Sequence, residues 1–208
     1  MYASKVKATG YYVPEFVVRN DDLAAIVDTS DAWIRPRTGI GERRIAMEEN
    51  TSDLAAKAAV HILENAGIAA EQVELIIVAT ISGDYAMPST ACLVQQKLGA
   101  VNATAFDITA ACSGFIFALS TADKFIRSGS YRNALVLGAD VLSKTIDWTD
   151  RTTCVLFGDG AGGIYLEQSE EQEGSILAEC LGSDGTGGMA LTSGEFPTAN
   201  VFNGKVQG

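Results

Sequence analysis

Apolar and polar positions divide the chain into short alternating segments. Residues 5–18 are rich in Val, Tyr and Phe and are broken at Gly10 and Pro14, which predicts strand, turn, strand. Asn20 is placed to cap a short helix through Val27, and a second helix is expected from Ser30 to Arg35. Residues 40–46 read as a strand carrying paired arginines. Thr51 or Ser52 caps a helix to Asn65 with Gly67 past its end; Leu54, Ala58, Ile62 and Leu63 fall on one face. Glu74–Thr80 is a continuous apolar run, the pattern of a strand buried on both faces. A helix from Pro88 to near Gly99, a strand at Ala103–Ile108 and a long apolar helix from Ser113 to Arg127, closed by Gly129, follow. Further strands are predicted at Ala134–Ala139, Gly162–Glu167 and Ser175–Leu181. From Gly182 onward glycine and polar residues predominate, and the pattern supports only loop.

Alternating strands and helices predict an α/β fold with a mostly parallel sheet covered by helices. With 47% hydrophobic residues and 20% charged, the 208-residue chain can bury a substantial core. The net charge of −11 speaks against a nucleic-acid partner. Glu170, Glu171 and Glu173 read as a solvated turn. Cys92, Cys112, Cys154 and Cys180 include no CxxC pair, so no metal site is expected. Met1–Val6 is too polar and short for a leader, and no apolar run approaches the ~20 residues of a spanning helix. Free thiols in a reducing cytoplasm, away from membranes, are the expectation.

The segment Phe106–Phe115 (FDITAACSGF) carries the most chemistry. A strand ends at Ile108, small residues follow, and Cys112 stands where a helix begins. Unpaired N–H groups of a first helical turn favour a thiolate and can hold an oxyanion on an attacked carbonyl. Cys112 can therefore be a nucleophile, or else a small buried thiol between strand and helix. For Cys92, Cys154 and Cys180 the buried reading is preferred. Gly158–Gly163 matches GxGxxG, but Ile164-Tyr165-Leu166 after it alternates like a strand. No helix follows to hold a pyrophosphate, so the glycines are expected to serve close packing near the nucleophile.

Four segments together resemble the thiolase-fold condensing enzymes, most closely β-ketoacyl-acyl-carrier-protein synthase III. They are Asp31–Ile40 (DAWIRPRTGI), Pro88–Cys92 (PSTAC), the Cys112 segment, and Asp150-Arg151 leading into Phe157–Gly162 (FGDGAG). The resemblance implies that Cys112 accepts an acetyl or other short acyl group from acetyl-coenzyme A. Malonyl-acyl carrier protein then loses carbon dioxide, and its carbanion takes the acyl group to give acetoacetyl-acyl carrier protein. No cofactor is implied beyond the coenzyme A thioester as substrate. Trp33 and Arg151 match the pair flanking the adenine, and Arg37 and Thr29 match positions near its phosphates and base. Read without the resemblance, Trp33 is a half-buried helix aromatic and the two arginines are surface ion-pair partners. Met87 falls where relatives often carry an aromatic residue that reaches across a homodimer interface into the partner's acyl pocket; a preference for short primers is the hypothesis.

The resemblance also implies a His and an Asn from a C-terminal half. His61 is the sole histidine and lies in a helix away from the motif segments. The expected organisation is therefore an N-terminal thiolase-like half over residues 1–174, then the truncated, mostly loop beginning of the second half over 175–208. Such a piece is expected to expose apolar surface, to associate, and to lack full activity alone. Three other readings stay open: a non-catalytic acyl-coenzyme A-binding or dimerising fragment, a related acyltransferase or polyketide starter synthase, and a cysteine hydrolase using His61.

Overall fold

The computed structural model describes residues 2–171 and 175–193. Its centre is a five-stranded sheet built from β1 (Ala3–Tyr12), β4 (Leu75–Ala79), β5 (Thr104–Ile108), β6 (Asn133–Val141) and β7 (Asp159–Ser169), in the order β1-β7-β6-β4-β5. Strands β5 and β6 pair in parallel with β4, while β7 runs antiparallel to both β6 and β1. Thus β7 alone opposes the common direction, and the sheet is mostly parallel as expected. A two-stranded ribbon of β2 (Val17–Arg19) and β3 (Glu42–Arg44) lies apart from it.

Both faces of the sheet are covered, and β4 shows why. All five of its residues are buried. Ile76 and Val78 join the core under α3 (Thr51–Ala66) and α4 (Thr90–Leu98), whereas Leu75, Ile77 and Ala79 join the core under α5 (Gly114–Arg127). Period-two alternation sends successive side chains to opposite faces, so a strand between two helical layers must be apolar throughout. Leu54, Ala58 and Ile62 of α3 are fully buried. Each of the larger side chains contributes about 1.5–3 kcal/mol by leaving water.

Several boundaries differ from the sequence expectation. Gly10 does not interrupt β1. It sits inside the strand because a Cβ there would lie 2.8 Å from Ile62 Cγ1, so glycine is needed where β1 meets α3. Asn50, not Thr51 or Ser52, caps α3; the Ser52 hydroxyl instead donates to Asp84 at 2.6 Å. Asn20 is the first residue of α1 (Asn20–Leu23) rather than its cap, and turns, not helix, continue to Val27. Helix α2 (Asp31–Thr38), capped by the Ser30 hydroxyl, runs through Pro36 beyond the predicted end. Pro88 precedes α4, whose cap is Ser89.

Ser175–Leu181 is not a strand. One bridge joins Ser175 to Lys5 at the free edge of β1, and beyond it Leu177 is 85% exposed. Alternation without a continuing ladder or a face to cover does not hold a strand. Within the segment read as loop, Gly185–Ala190 forms a short 3₁₀ helix whose start is held by the Asp184 side chain accepting from Thr186 N–H at 2.9 Å. Of the acidic cluster, Glu171 pairs with exposed geometry to Lys5 at 2.8 Å, and Glu173 lies outside the described residues. The predicted second segment, 175–208, likewise falls outside them from residue 194.

Candidate active site

Strand β5 ends at Ile108, and the parallel pairing with β4 carries one residue further through Thr80 N–H to the Ile108 carbonyl. The chain then turns sharply. Ala111 adopts φ +46°, a left-handed conformation that costs an L-residue about 1–2 kcal/mol. One 3₁₀ turn, Ala111–Ser113, leads directly into α5. This turn lifts Cys112 out of the core: the thiol is exposed, at the carboxyl ends of β4, β5 and β6. It borders a cleft of about 290 Å³ walled by Ala79, Phe115, Gly138, Asp140, Gly160 and Gly162. Ligand sites of open α/β sheets collect at this end of the strands. Strain of the Ala111 kind is retained where a structure must aim a reactive group.

Three carboxylates at strand ends tie down neighbouring segments, and one of them, Asp140, lines the cleft. Asp140 Oδ1 accepts from the Thr80 hydroxyl at 3.0 Å, Ile81 N–H at 2.9 Å and the Ser82 hydroxyl at 2.8 Å, which ties the loop after β4 to the end of β6. Asp107 on β5 accepts from Thr90 N–H at 2.6 Å and Ala91 N–H at 2.7 Å, fixing the start of α4. Asp159 accepts from Ala46 N–H at 2.7 Å and Ser143 N–H at 2.9 Å. None of these was singled out from sequence. Their signal is an acid at the end of an otherwise apolar strand, where it must be hydrogen-bonded to be tolerated.

A second constellation surrounds Trp33 on α2. The guanidinium carbon of Arg151 lies 4.4 Å from the ring centroid and that of Arg37 lies 4.6 Å from it. Arg37 also donates to the Trp33 carbonyl at 3.0 Å, and Arg151 reaches exposed Asp28 at 3.4 Å. Thr29 Oγ1, buried beside them in sequence, has no hydrogen-bond partner among the described residues. The structure thus brings Trp33, Arg37 and Arg151 into contact. The segment from Arg151 to Gly162 runs from this aromatic platform to the wall of the Cys112 cleft.

A family model for 3-oxoacyl-[acyl-carrier-protein (ACP)] synthase III matches residues 106–185, the span that holds Cys112 and β7. The β-ketoacyl-[acyl-carrier-protein] synthase III of Streptococcus mutans is 57% identical over 98% of this chain, which covers 62% of that protein. A crystal structure of the synthase III of Pseudomonas aeruginosa superposes with a TM-score of 0.90 at 44% identity, covering 95% of this chain and 62% of that one. The Aquifex aeolicus structure gives a TM-score of 0.80 at 54% identity, covering 81% and 55%. Over nearly its whole length the chain is thus similar to the β-ketoacyl-acyl-carrier-protein synthase III proteins. It spans about three fifths of the length of the curated relatives it matches, 62% and 61% for two of them.

The remaining sequence expectations divide. The glycines of Gly158–Gly163 lie in and before β7, not at a helix start. A Cβ on Gly163 would stand 2.2 Å from the Val136 carbonyl oxygen, so close strand packing accounts for that glycine. His61 contacts Tyr11, with Nδ1 at 3.1 Å from its carbonyl, and is absent from the walls of the Cys112 cleft. Cys154 is buried as expected, but Cys92 and Cys180 are exposed. Cys92 Sγ lies 3.6 Å from the Ala105 carbonyl of the edge strand β5, and Cys180 lies on the segment that failed to pair. Met87 is 84% exposed on the loop before α4. Among the described residues no helix is long and apolar enough to cross a membrane, and no cluster of His, Cys, Asp and Glu could hold a metal ion.

Proposed function

We propose that this chain carries the acyl-accepting machinery of a β-ketoacyl-acyl-carrier-protein synthase III, a condensing enzyme of fatty-acid synthesis, with Cys112 as nucleophile. The observation that carries the reading is the exposed Cys112 thiol, aimed from a left-handed turn into a cleft at the carboxyl end of the parallel strands. The Cys112 sulfur attacks the thioester carbonyl of acetyl-coenzyme A or another short acyl-coenzyme A. Backbone N–H groups at the start of α5 are oriented to hold the oxyanion that forms. The carbon–sulfur bond of the donor then breaks, coenzyme A leaves as the thiol, and the acyl group remains on Cys112. In the second half-reaction malonyl-acyl carrier protein loses carbon dioxide. Its carbanion attacks the Cys112 thioester, giving acetoacetyl-acyl carrier protein and restoring the thiol. The residues described here supply the first half-reaction. His61, held at Tyr11, is not placed to assist the second.

The donor's adenine belongs, in this reading, between Trp33 and Arg151. A base sandwiched between two planes needs about 7 Å, two layers at van der Waals separation. The guanidinium now lies 4.4 Å from the ring. Arg151 therefore covers the adenine's place and must swing off the ring, leaving Asp28, for the donor to enter. Arg37 is available to a phosphate, and buried, unpaired Thr29 Oγ1 would meet the base where movement of Arg151 uncovers it. Among the described residues strand β5 pairs on one side only, with β4. We assign its open edge to a second copy of the chain, which would bring exposed Met87 to the partner. Free thiols and such substrates suit the cytoplasm.

Incubation with acetyl-coenzyme A followed by intact-mass measurement tests the assignment. One added acetyl group, absent in Cys112→Ser, is expected. No addition, or addition that survives the substitution, refutes it.

A further inference from the structure

Arg43 on β3 is only 6% exposed, yet among the described residues it makes no ion pair with a carboxylate. Its guanidinium donates to three neutral oxygens: the Val18 carbonyl at 3.2 Å, Asn20 Oδ1 at 2.9 Å and the Val155 carbonyl at 3.2 Å. Its Nε–H has no partner among the described residues. A buried cation without a counter-charge is costly, and apolar residues of similar size would fill the space at no such cost. What a guanidinium offers is a rigid planar fork able to reach several acceptors at once.

Those acceptors lie on different limbs of the Trp33 platform. Val155 follows Arg151 in a tight turn, in which the Cys154 N–H donates to the Asp150 carbonyl at 3.0 Å. On the other side Asn20 donates to Asp31 Oδ1 and to the Ile40 carbonyl, both at 2.8 Å. These two residues bracket α2, which carries Trp33 and Arg37. Arg35, then Asn20, holds the Asp31 carboxyl below its usual range. A chain of hydrogen bonds therefore runs from the turn bearing Arg151, through Arg43 and Asn20, to the helix bearing Trp33. The same joint is sealed by apolar contact, since Cys154 and Val155 pack with Ile34, Leu23 and Trp33.

We propose that Arg43 is a positioning residue that fixes the separation of the two limbs, so that a flat base of the coenzyme A type enters by movement of the Arg151 side chain alone. The proposal rests on the acyl-coenzyme A reading of the Trp33 platform. Without Arg43 the turn bearing Arg151 loses its hydrogen-bonded tie to α2, and the two limbs no longer keep the fixed separation from which the Arg151 side chain alone can swing.

Isothermal titration of wild type, Arg43→Met and Arg43→Lys with coenzyme A and with 4′-phosphopantetheine, which lacks the nucleotide, tests this. Wild type is expected to bind coenzyme A at least about tenfold more tightly, the value of one stacked base. Arg43→Met is expected to lose about that tenfold for coenzyme A and nothing for phosphopantetheine. Arg43→Lys, whose point charge reaches one limb, falls between them. A folded Arg43→Met that keeps the wild-type ratio, or weakens both ligands equally, overturns the proposal. If Arg43→Met does not unfold cooperatively, Arg43→Lys decides, and an unchanged ratio there overturns it too. A wild type with no preference between the ligands overturns the adenine reading itself, and the inference with it.

Discussion

Replacing Gly163 by alanine separates a packing role from a nucleotide-binding role for the glycine-rich segment. Gly163 on β7 pairs with Leu137 on β6. An added Cβ would lie 2.2 Å from the Val136 carbonyl oxygen, 2.8 Å from Leu137 Cδ2 and 3.1 Å from Leu137 Cα. Two of these are backbone atoms in the middle of the sheet and cannot swing aside. Relief demands that β6 and β7 separate by about 1 Å, the shortfall from ordinary carbon–oxygen contact. That weakens the flanking ladder bonds, each with a net value near 1 kcal/mol, and adds an overpacking cost of about 1–3 kcal/mol. The expected loss is about 3–4 kcal/mol, a large part of the typical 5–15 kcal/mol of a folded domain. Gly162 is the control. Its added Cβ would meet nothing closer than 3.6 Å, so Gly162→Ala is expected to cost under about 1 kcal/mol. Urea unfolding followed by circular dichroism reads both, with the midpoint as the measure and the slope as the check on two-state behaviour. A Gly163→Ala protein with the stability of Gly162→Ala would refute the close-packing account.

Other outcomes follow from burial and exposure. Iodoacetamide on the native protein is expected to label exposed Cys92, Cys112 and Cys180 but spare Cys154, which is fully buried and whose thiol pKa burial pushes up; native labelling of Cys154 would contradict the packing around Arg43. Asp123 is 2% exposed and is held by Ser4, Arg127 and Lys124, so Asp123→Ala should cost about 3 kcal/mol, read by urea unfolding. Burial alone would raise its pKa, but the bonds from Ser4, Arg127 and Lys124 prevail and lower it. The stability it contributes is therefore complete above the unfolded carboxyl's pKa and disappears as pH falls through the lower folded value; Asp123→Asn should flatten that acid limb, and an unchanged limb would show the carboxylate to be idle. Met87→Phe should alter the choice between acetyl and branched primers, measured as acyl transfer to Cys112; identical selectivity would end its assignment to a partner's acyl pocket.

The elements most legible in sequence were those whose burial is one-sided or complete. Strand β4 announces itself because both its faces meet helices, and α3 because Leu54, Ala58 and Ile62 share one face. Gly10 misled for the opposite reason. Glycine reads locally as a breaker, and only the approach of Ile62, distant in sequence, shows why a strand needs it. Ser175–Leu181 alternates convincingly, but alternation says nothing about whether an edge is free to receive it. At the site, Cys112 was visible because strand, small residues and helix are contiguous. Arg43 was seen only as one of two paired arginines. Its partners at positions 18, 20 and 155 come together through the tertiary fold, and no local pattern marks them.

The order of strands in the sheet also constrains how the protein is made. Of the described strands β1 leaves the ribosome before the others, but its sheet neighbour is β7, the last of them. At about 5–20 residues per second, some 8–30 seconds of translation separate the two. Through that interval α3, and after it α5, are available to shelter β1, by way of the Gly10–Ile62 and Ser4–Asp123 contacts. When β7 arrives it slots between β1 and β6, joining the two portions of the sheet, and the same strand brings Gly160 and Gly162 to the wall beside Cys112. Among the described residues, the joining of the two sheet portions and the walling of the cleft by β7 are thus one event, and a nascent chain does not present its thiol beside Gly160 and Gly162 before β7 has docked.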